Sequence, residues 1–349
     1  MLQVDLIMSR FSLSHVPSPI IFDQAPELFY LDVDHYSVHG LSGLHLSQKI
    51  RDLVPNFPLF TDLLKVIKIW ASRRLISDYV YGFPASVAWA VLCAYICIHT
   101  TRFSNENYPY NGLLNPSLSV ELSEANHEPV DGPLLLRDLM DIQNGHEIMP
   151  IITPIFPHKN AAYTVRPSSR DIVVKELQRG FHLTKKIVDG SATWEDLFEP
   201  YDIRQDYRHF LKLVLSADNF QELGRLGGLI DSRLRDLAGF LEEHKYIESV
   251  RIIKASDLPK HPCFESGSGK LSNLSECGRE RAFKRAWLLG MRILKAAPLS
   301  DGSYPERKVD VTQYLQRFYG TLQERDPNTN FLDKLITAYV TRSDLHADG

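Results

Sequence analysis

Lys65, Lys68 and Arg73 stand off the apolar stripe of a predicted helix in which Leu63, Ile67, Trp70 and Arg74 recur at spacings of four, three and four. An ammonium held at a fixed helix position is the point charge that a phosphate group takes. A second row, Arg208, Phe210 and Lys212, shares one face of a predicted strand whose other face carries His209, Leu211, Leu213 and Leu215. Cation, ring and cation in that order suit phosphate contact with base stacking, although a half-buried strand gives the same pattern. The first row can reach a polyanion, and the second suits a nucleic-acid strand. Other constellations carry less: His35 and His39 lack the glutamate of a zinc-protease helix, Gly267 and Ser268 in ESGSGK do not form a P-loop, and Asp5 is a lone acid in a predicted strand from Gln3 to Phe11. The four cysteines include no CxxC pair, so Cys93 and Cys97, one helical turn apart, read as small buried residues.

The elements that must hold the first row follow from Ile67–Leu92, IKIWASRRLISDYVYGFPASVAWAVL. A Gly-Phe-Pro turn at Gly82–Pro84 separates the cation-bearing helix from a run, Val87 to Ile98, that is apolar all round and reads as a helix packed on every side, too short to span a bilayer. Residues His15–Gly40 lack clean periodicity and are expected as loop, with regular structure returning at Leu41 and a polar insertion from Ser104 to Pro133. Beyond a helix from Ser169 to Val188 and a Trp194–Phe198 segment, Tyr207–Ala217 alternates as a strand. Next come a helix carrying Leu226, Ile230, Leu234, Leu237 and Leu241, and a strand from Glu248 to Ala255. After a Gly/Ser-rich loop from Glu265 to Cys277, RAWLLGMRIL reads as a strand, Val311, Leu315, Phe318 and Leu322 as a helix face, and FLDKLITAYV as a last strand. Strand, helix, strand, strand, helix, strand is the ferredoxin-like order, and the fold class expected is α+β.

The pattern I-K-x-W-A-x-R-R, a variable stretch, then G-F-P-x-x-V-A-W-A closely resembles the central domain of eukaryotic poly(A) polymerases, and MPIITPIFP at Met149–Pro157 resembles the family's exit from that domain. The resemblance implies three parts: residues 1–40 as the end of a nucleotidyltransferase sheet, 41–165 as the helical central domain, and 166–349 as an RNA-binding ferredoxin-like domain. It implies a polynucleotide adenylyltransferase that adds AMP from ATP to RNA 3′ ends in mRNA processing, using Mg2+ or Mn2+. By the same resemblance Asp5, in VDLIMSR, is the third catalytic metal carboxylate. Lys68 contacts the ATP triphosphate, Val87 packs on adenine, Ser77 stands where the family has a phosphate-contacting tyrosine, and Tyr79 stands at a family asparagine. Arg208, Phe210 and Lys212 are the RNA-binding candidates.

Departures from the family pattern set limits. The Gly-Ser turn and Asp-x-Asp pair that supply its first two carboxylates do not occur, and Asp32 and Asp34 in LDVDHY follow Asp5 with no such turn before them. Ser86 stands at a family glycine, and Ser42 and His45 in LSGLHLS stand at Asn and Arg positions. The expectation is therefore an enzyme lineage whose activity is incomplete in this chain, the alternative being a non-catalytic RNA-binding or scaffold protein of the 3′-processing machinery. Expected partners are RNA 3′ ends, ATP and 3′-processing factors, with no membrane, a monomeric state and nuclear localisation.

Composition agrees with these classes. At 349 residues, 44% hydrophobic and 23% charged, the chain can build two or three cored domains. A net charge of −4 excludes coating of nucleic acid by bulk charge, so RNA contact needs a local basic surface. Asp5 inside the first apolar run argues against a signal peptide, and an intracellular protein is expected.

Overall fold

Asp34 opens the first helix. Its Oδ1 accepts the backbone N–H groups of Tyr36 and Ser37 at 3.0 Å each, and its Oδ2 accepts the Ser37 hydroxyl at 2.7 Å. Helix α1 therefore runs His35–Leu53 and starts six residues before the Leu41 expected from periodicity, because the cap is hidden in an acidic, aromatic stretch. The computed structural model describes residues 8–10, 33–103, 148–155, 158–257, 283–294 and 309–347. The Ser104–Pro133 insertion and the Glu265–Cys277 loop fall outside them, and Met8, Ser9 and Arg10, all that is described of the Gln3–Phe11 segment, are not in a strand.

The chain divides into two compact units, the first comprising Met1–Trp70, Pro84–Val165 and Val174–Leu197 and the second Ala71–Phe83, Arg166–Val173 and Phe198–Gly349. In the first, α2 (Phe57–Arg73) buries Leu63, Ile67 and Trp70, as its stripe requires, and α3 (Ser86–Phe103) buries Ala88, Trp89, Cys93 and Cys97. Trp70 and Trp89 meet edge to face, with centroids 5.9 Å apart, and α1 packs on α3. Met149, Ile151, Ile152 and Ile155 are buried in the same unit, held where Asn160 Oδ1 accepts the N–H groups of Ile151 and Ala162 at 2.9 and 2.8 Å. Helices α4 (Pro167–Val188) and α5 (Trp194–Leu197) follow, with Arg179 donating to the Asp196 carbonyl at 2.7 Å.

From Phe198 onward the second unit carries α6 (Ile203–Asp206), β1 (His209–Ala217), α7 (Phe220–Glu242), β2 (Ile247–Lys254) and β3 (Phe283–Ile293). Helices α8 (Thr312–Arg325) and α9 (Phe331–Lys334), strand β4 (Leu335–Thr341) and helix α10 (Arg342–Ala347) close it. The sheet is antiparallel in the order β2-β3-β1-β4, the ferredoxin-like arrangement the element order predicts.

Leu226, Ile230, Leu234, Leu237 and Leu241 of α7 are fully buried, as are Leu213 and Leu215 on one face of β1 and Phe318 and Leu322 of α8. The opposite face is also covered at one end. Arg251, Gly290, Phe210 and Val340 form one row across the four strands, and Tyr201, Ile203, Tyr207 and Leu345 pack over it. Gly290 permits this roof: a Cβ there would lie 2.8 Å from Tyr207 Cγ and 3.0 Å from Ile203 Cδ1. Beneath it Arg251, only 2% exposed, lies 3.6 Å under the Tyr201 ring and donates to the Arg74 carbonyl at 2.7 Å.

Candidate functional site

In the first unit the two candidates stand on helices locked by the tryptophan pair. Lys68 is exposed, and it lies near enough to Cys93 to oppose the rise that burial imposes on that thiol. Its neighbour Lys65 is paired with Asp62 at 3.2 Å. Val87 is 42% exposed although it opens a helix that is otherwise largely buried. An apolar side chain kept out of the core at a helix start is available to a flat apolar ligand. Ser42 uses its hydroxyl on its own helix, bonding the Val38 carbonyl at 2.6 Å, and His45 is buried.

In the second unit Ser77 and Tyr79 lie on a short turn with unusual anchoring. The turn begins where α2 ends in a Schellman motif: Ile76 N–H reaches the Ala71 carbonyl at 2.9 Å and Leu75 N–H reaches Ser72 at 3.0 Å. Leu75 takes the left-handed conformation (φ 54°) that glycine normally supplies, and its side chain packs against the Tyr201–Phe210–Leu288 cluster. Such a backbone costs on the order of 1–2 kcal/mol in a leucine, which the packing offsets. Asp78 then caps a single 3-10 turn at Tyr79–Tyr81, its Oδ1 accepting Val80 N–H at 3.2 Å, and Gly82 (φ 91°) closes it. Tyr79 is 51% exposed, Ser77 half-buried and Tyr81 buried.

The RNA row divides. Arg208 is exposed and Lys212 half-buried, but Phe210 is 0% exposed, enclosed by Tyr201, Ile203, Tyr207 and Leu345. Its ring is a core element, which corrects the stacking role the alternation suggested. The physical reason is local: the segment before β1 folds back over the face on which Phe210 lies, and period two alone cannot report a roof supplied from elsewhere in the chain.

Asp5 lies outside the described residues, as does Asp32. Asp34 has both oxygens committed to its helix cap, and His39 has the Lys159 ammonium 3.4 Å from its ring nitrogens. Among the described residues no group of three or more His, Cys, Asp or Glu side chains is arranged to hold a metal ion, so these residues do not by themselves fit a divalent centre. No helix among them is long and apolar enough to cross a membrane. What pattern reading missed is the polar anchoring of the turn by Asp78, Tyr81 and Asp231, residues with no motif of their own; the one signal was an Asp placed before a Gly-Phe-Pro turn.

Comparison with known proteins bears on these positions. The description of the poly(A) polymerase central domain matches residues 59–105 and 119–200, which include all but the first two residues of α2, the Ser77–Tyr81 turn and α3. Poly(A) polymerase PAPalpha of Candida albicans is 28% identical over 100% of this chain and 66% of its own length, and PAPa of the same organism is 30% identical over 100% and 67%. Nuclear poly(A) polymerase 1 of Arabidopsis thaliana is 30% identical over 69% of this chain and 34% of its own. The chain thus spans between about a third and two thirds of the length of these relatives.

Proposed function

Because this chain belongs to the poly(A) polymerase family, we propose that it carries the ATP-facing helices and the RNA-facing sheet of a polynucleotide adenylyltransferase, an enzyme that adds AMP from ATP to RNA 3′ ends in mRNA processing. The observation that supports it most is the pairing of an exposed Lys68 with a partly exposed Val87 on two helices fixed together by Trp70 and Trp89. Lys68 takes a phosphate of ATP and Val87 the adenine. Ser77 and Tyr79 are the further ATP-binding candidates that the resemblance supplies, Ser77 with a hydroxyl shorter than the family's tyrosine. Arg208 and Lys212 contact the RNA backbone, while Phe210 is a packing residue of the core.

The domain reading stays that of the resemblance: residues 1–40 close a nucleotidyltransferase sheet, 41–165 form the central domain and 166–349 the RNA-binding domain. The family depends on divalent metal, and Mg2+ or Mn2+ is the ion proposed, with Asp5 as one ligand. The word nuclear in the name of the Arabidopsis relative supports a nuclear location. RNA 3′ ends, ATP and 3′-processing factors are the proposed partners of a monomeric chain.

Titration calorimetry of the chain with ATP tests the reading. Lys68→Ala is expected to weaken ATP binding roughly ten- to a hundredfold, because it removes a charge-assisted hydrogen bond worth about 1.5–3 kcal/mol. Unchanged affinity would return Lys68 to an ordinary solvated face. Arg208→Ala combined with Lys212→Ala should lower affinity for single-stranded RNA and flatten its salt dependence by about 0.7 for each phosphate that is no longer neutralised.

A further inference from the structure

The turn that carries Ser77 and Tyr79 is tied to the sheet-and-helix body of the second unit at two points. At one, Asp78 Oδ2 pairs with Lys254 Nζ of β2 at 3.1 Å, and the same ammonium lies 5.3 Å from the Tyr81 ring centroid. At the other, the Tyr81 hydroxyl donates to Asp231 Oδ1 of α7 at 2.6 Å. Asp231 is itself fixed: Trp287 Nε1 of β3 donates to the same oxygen at 2.7 Å, and Arg285 pairs with its other oxygen. Arg285 reaches it across Gly227, where a Cβ would lie 2.7 Å from the guanidinium. Burial, and then the facing Asp231 carboxylate, push the Tyr81 hydroxyl well above its ordinary range, so it stays a donor at any working pH.

This is more apparatus than three residues of 3-10 turn require for stability. The turn is already closed by its own bonds: Tyr81 N–H to the Asp78 carbonyl at 3.1 Å, Gly82 N–H to Tyr79 at 3.1 Å and Phe83 N–H to Asp78 at 3.3 Å. What the two outside anchors add is position. They fix where the half-buried Ser77 and the exposed Tyr79 stand relative to the sheet, and a ligand-contacting group gains affinity when its place is set before binding.

We propose that Asp231 is a positioning residue for ATP: by holding the Tyr81 hydroxyl it fixes the Ser77–Tyr81 turn and thereby sets the affinity of that turn for the nucleotide triphosphate. The proposal rests on the reading that Ser77 and Tyr79 face ATP. Lys254, through Asp78, is the second anchor of the same turn.

The gentlest variant is Tyr81→Phe, which deletes one bond and leaves Asp231 with Arg285 and Trp287. Calorimetry of the full chain with ATP in the presence of a chelator is expected to give a loss of about three- to tenfold, with the thermal midpoint and the affinity for single-stranded RNA near those of the parent. Asp231→Asn should weaken ATP binding in the parent but have little further effect in the Tyr81→Phe background, since its influence passes through that hydroxyl. Hydrogen exchange at Val80, Tyr81 and Gly82 should speed up in both variants. If Lys68→Ala weakens ATP binding while Tyr81→Phe does not, the positioning role is overturned and the ATP reading stands. If neither parent nor variants bind ATP, both fall together. A Tyr81→Phe loss that is matched in RNA affinity and thermal midpoint would make the anchor merely structural and overturn the proposal as well.

Discussion

Phe210 and Asp34 show how one residue's chemistry is redirected by its surroundings. Phe210 lies between Arg208 and Lys212 in sequence, yet its ring is wholly enclosed. Truncating a buried phenylalanine removes both transfer energy and packing, so Phe210→Ala is expected to destabilise the chain by about 3–5 kcal/mol in urea unfolding. RNA affinity of the molecules that stay folded should be unchanged. Asp34 occurs in an acidic run that suggests ion binding, but its carboxylate is held below the usual range, first by the Ser37 backbone N–H and then by the Ser37 hydroxyl. A carboxyl depressed by folding contributes stability above its unfolded value of 3.8, and that contribution disappears as the pH falls through the lower folded value. The first turn of α1 should therefore fray in acid below about pH 4, seen as faster amide exchange at Tyr36 and Ser37, and Asp34→Asn should remove that pH dependence.

At the scale of elements, the sheet of the second unit differs from an open RNA-binding sheet in being roofed at one end. Ile203 and Tyr207 cover Gly290, where a Cβ would come within 3.0 Å of both. Gly290→Ala must displace the Tyr207 ring or bend β3, and overpacking of this kind costs about 1–3 kcal/mol. Thermal or urea unfolding measures it. A neutral result would mean that the roof shifts freely and that the Phe210 face opens in solution. The same roof explains how Arg251 is tolerated almost without solvent: the Tyr201 ring and the Arg74 carbonyl replace part of its lost hydration.

At the scale of the whole chain, the decisive feature is chemical inventory. Nucleotidyl transfer of the family's kind uses two divalent ions bridged by several carboxylates. The Gly-Ser turn with its Asp-x-Asp pair is not found in the 349 residues, and Asp34 is spent on a helix cap. The purified 349-residue chain is expected to show no ATP-dependent extension of an oligo(A) primer with Mg2+ or Mn2+, while still binding ATP. Processive tailing in that assay would assign metal work to Asp32 or Asp34 beyond what the family pattern allows.

The sequence by itself determined the periodic and the punctuated parts. The stripe Leu63, Ile67, Trp70 and Arg74 is buried as its spacing demands. The leucines of α7 fill the core under the sheet, and the βαββαβ order is legible from the switch between periods of two and 3.6. The family was legible too, because I-K-x-W-A-x-R-R and G-F-P-x-x-V-A-W-A are runs of adjacent residues. Tertiary structure alone decided which residues of these patterns are free to act. Phe210 was removed from the surface by Tyr201 and Tyr207, while Val87 was left partly exposed at the head of a buried helix. The turn at Ser77–Tyr81 was tied to Asp231, 150 residues from Tyr81. Local periodicity reports the direction in which a side chain leaves the backbone; what covers it or bonds to it is set by segments distant in the chain, and no spacing rule reaches that far.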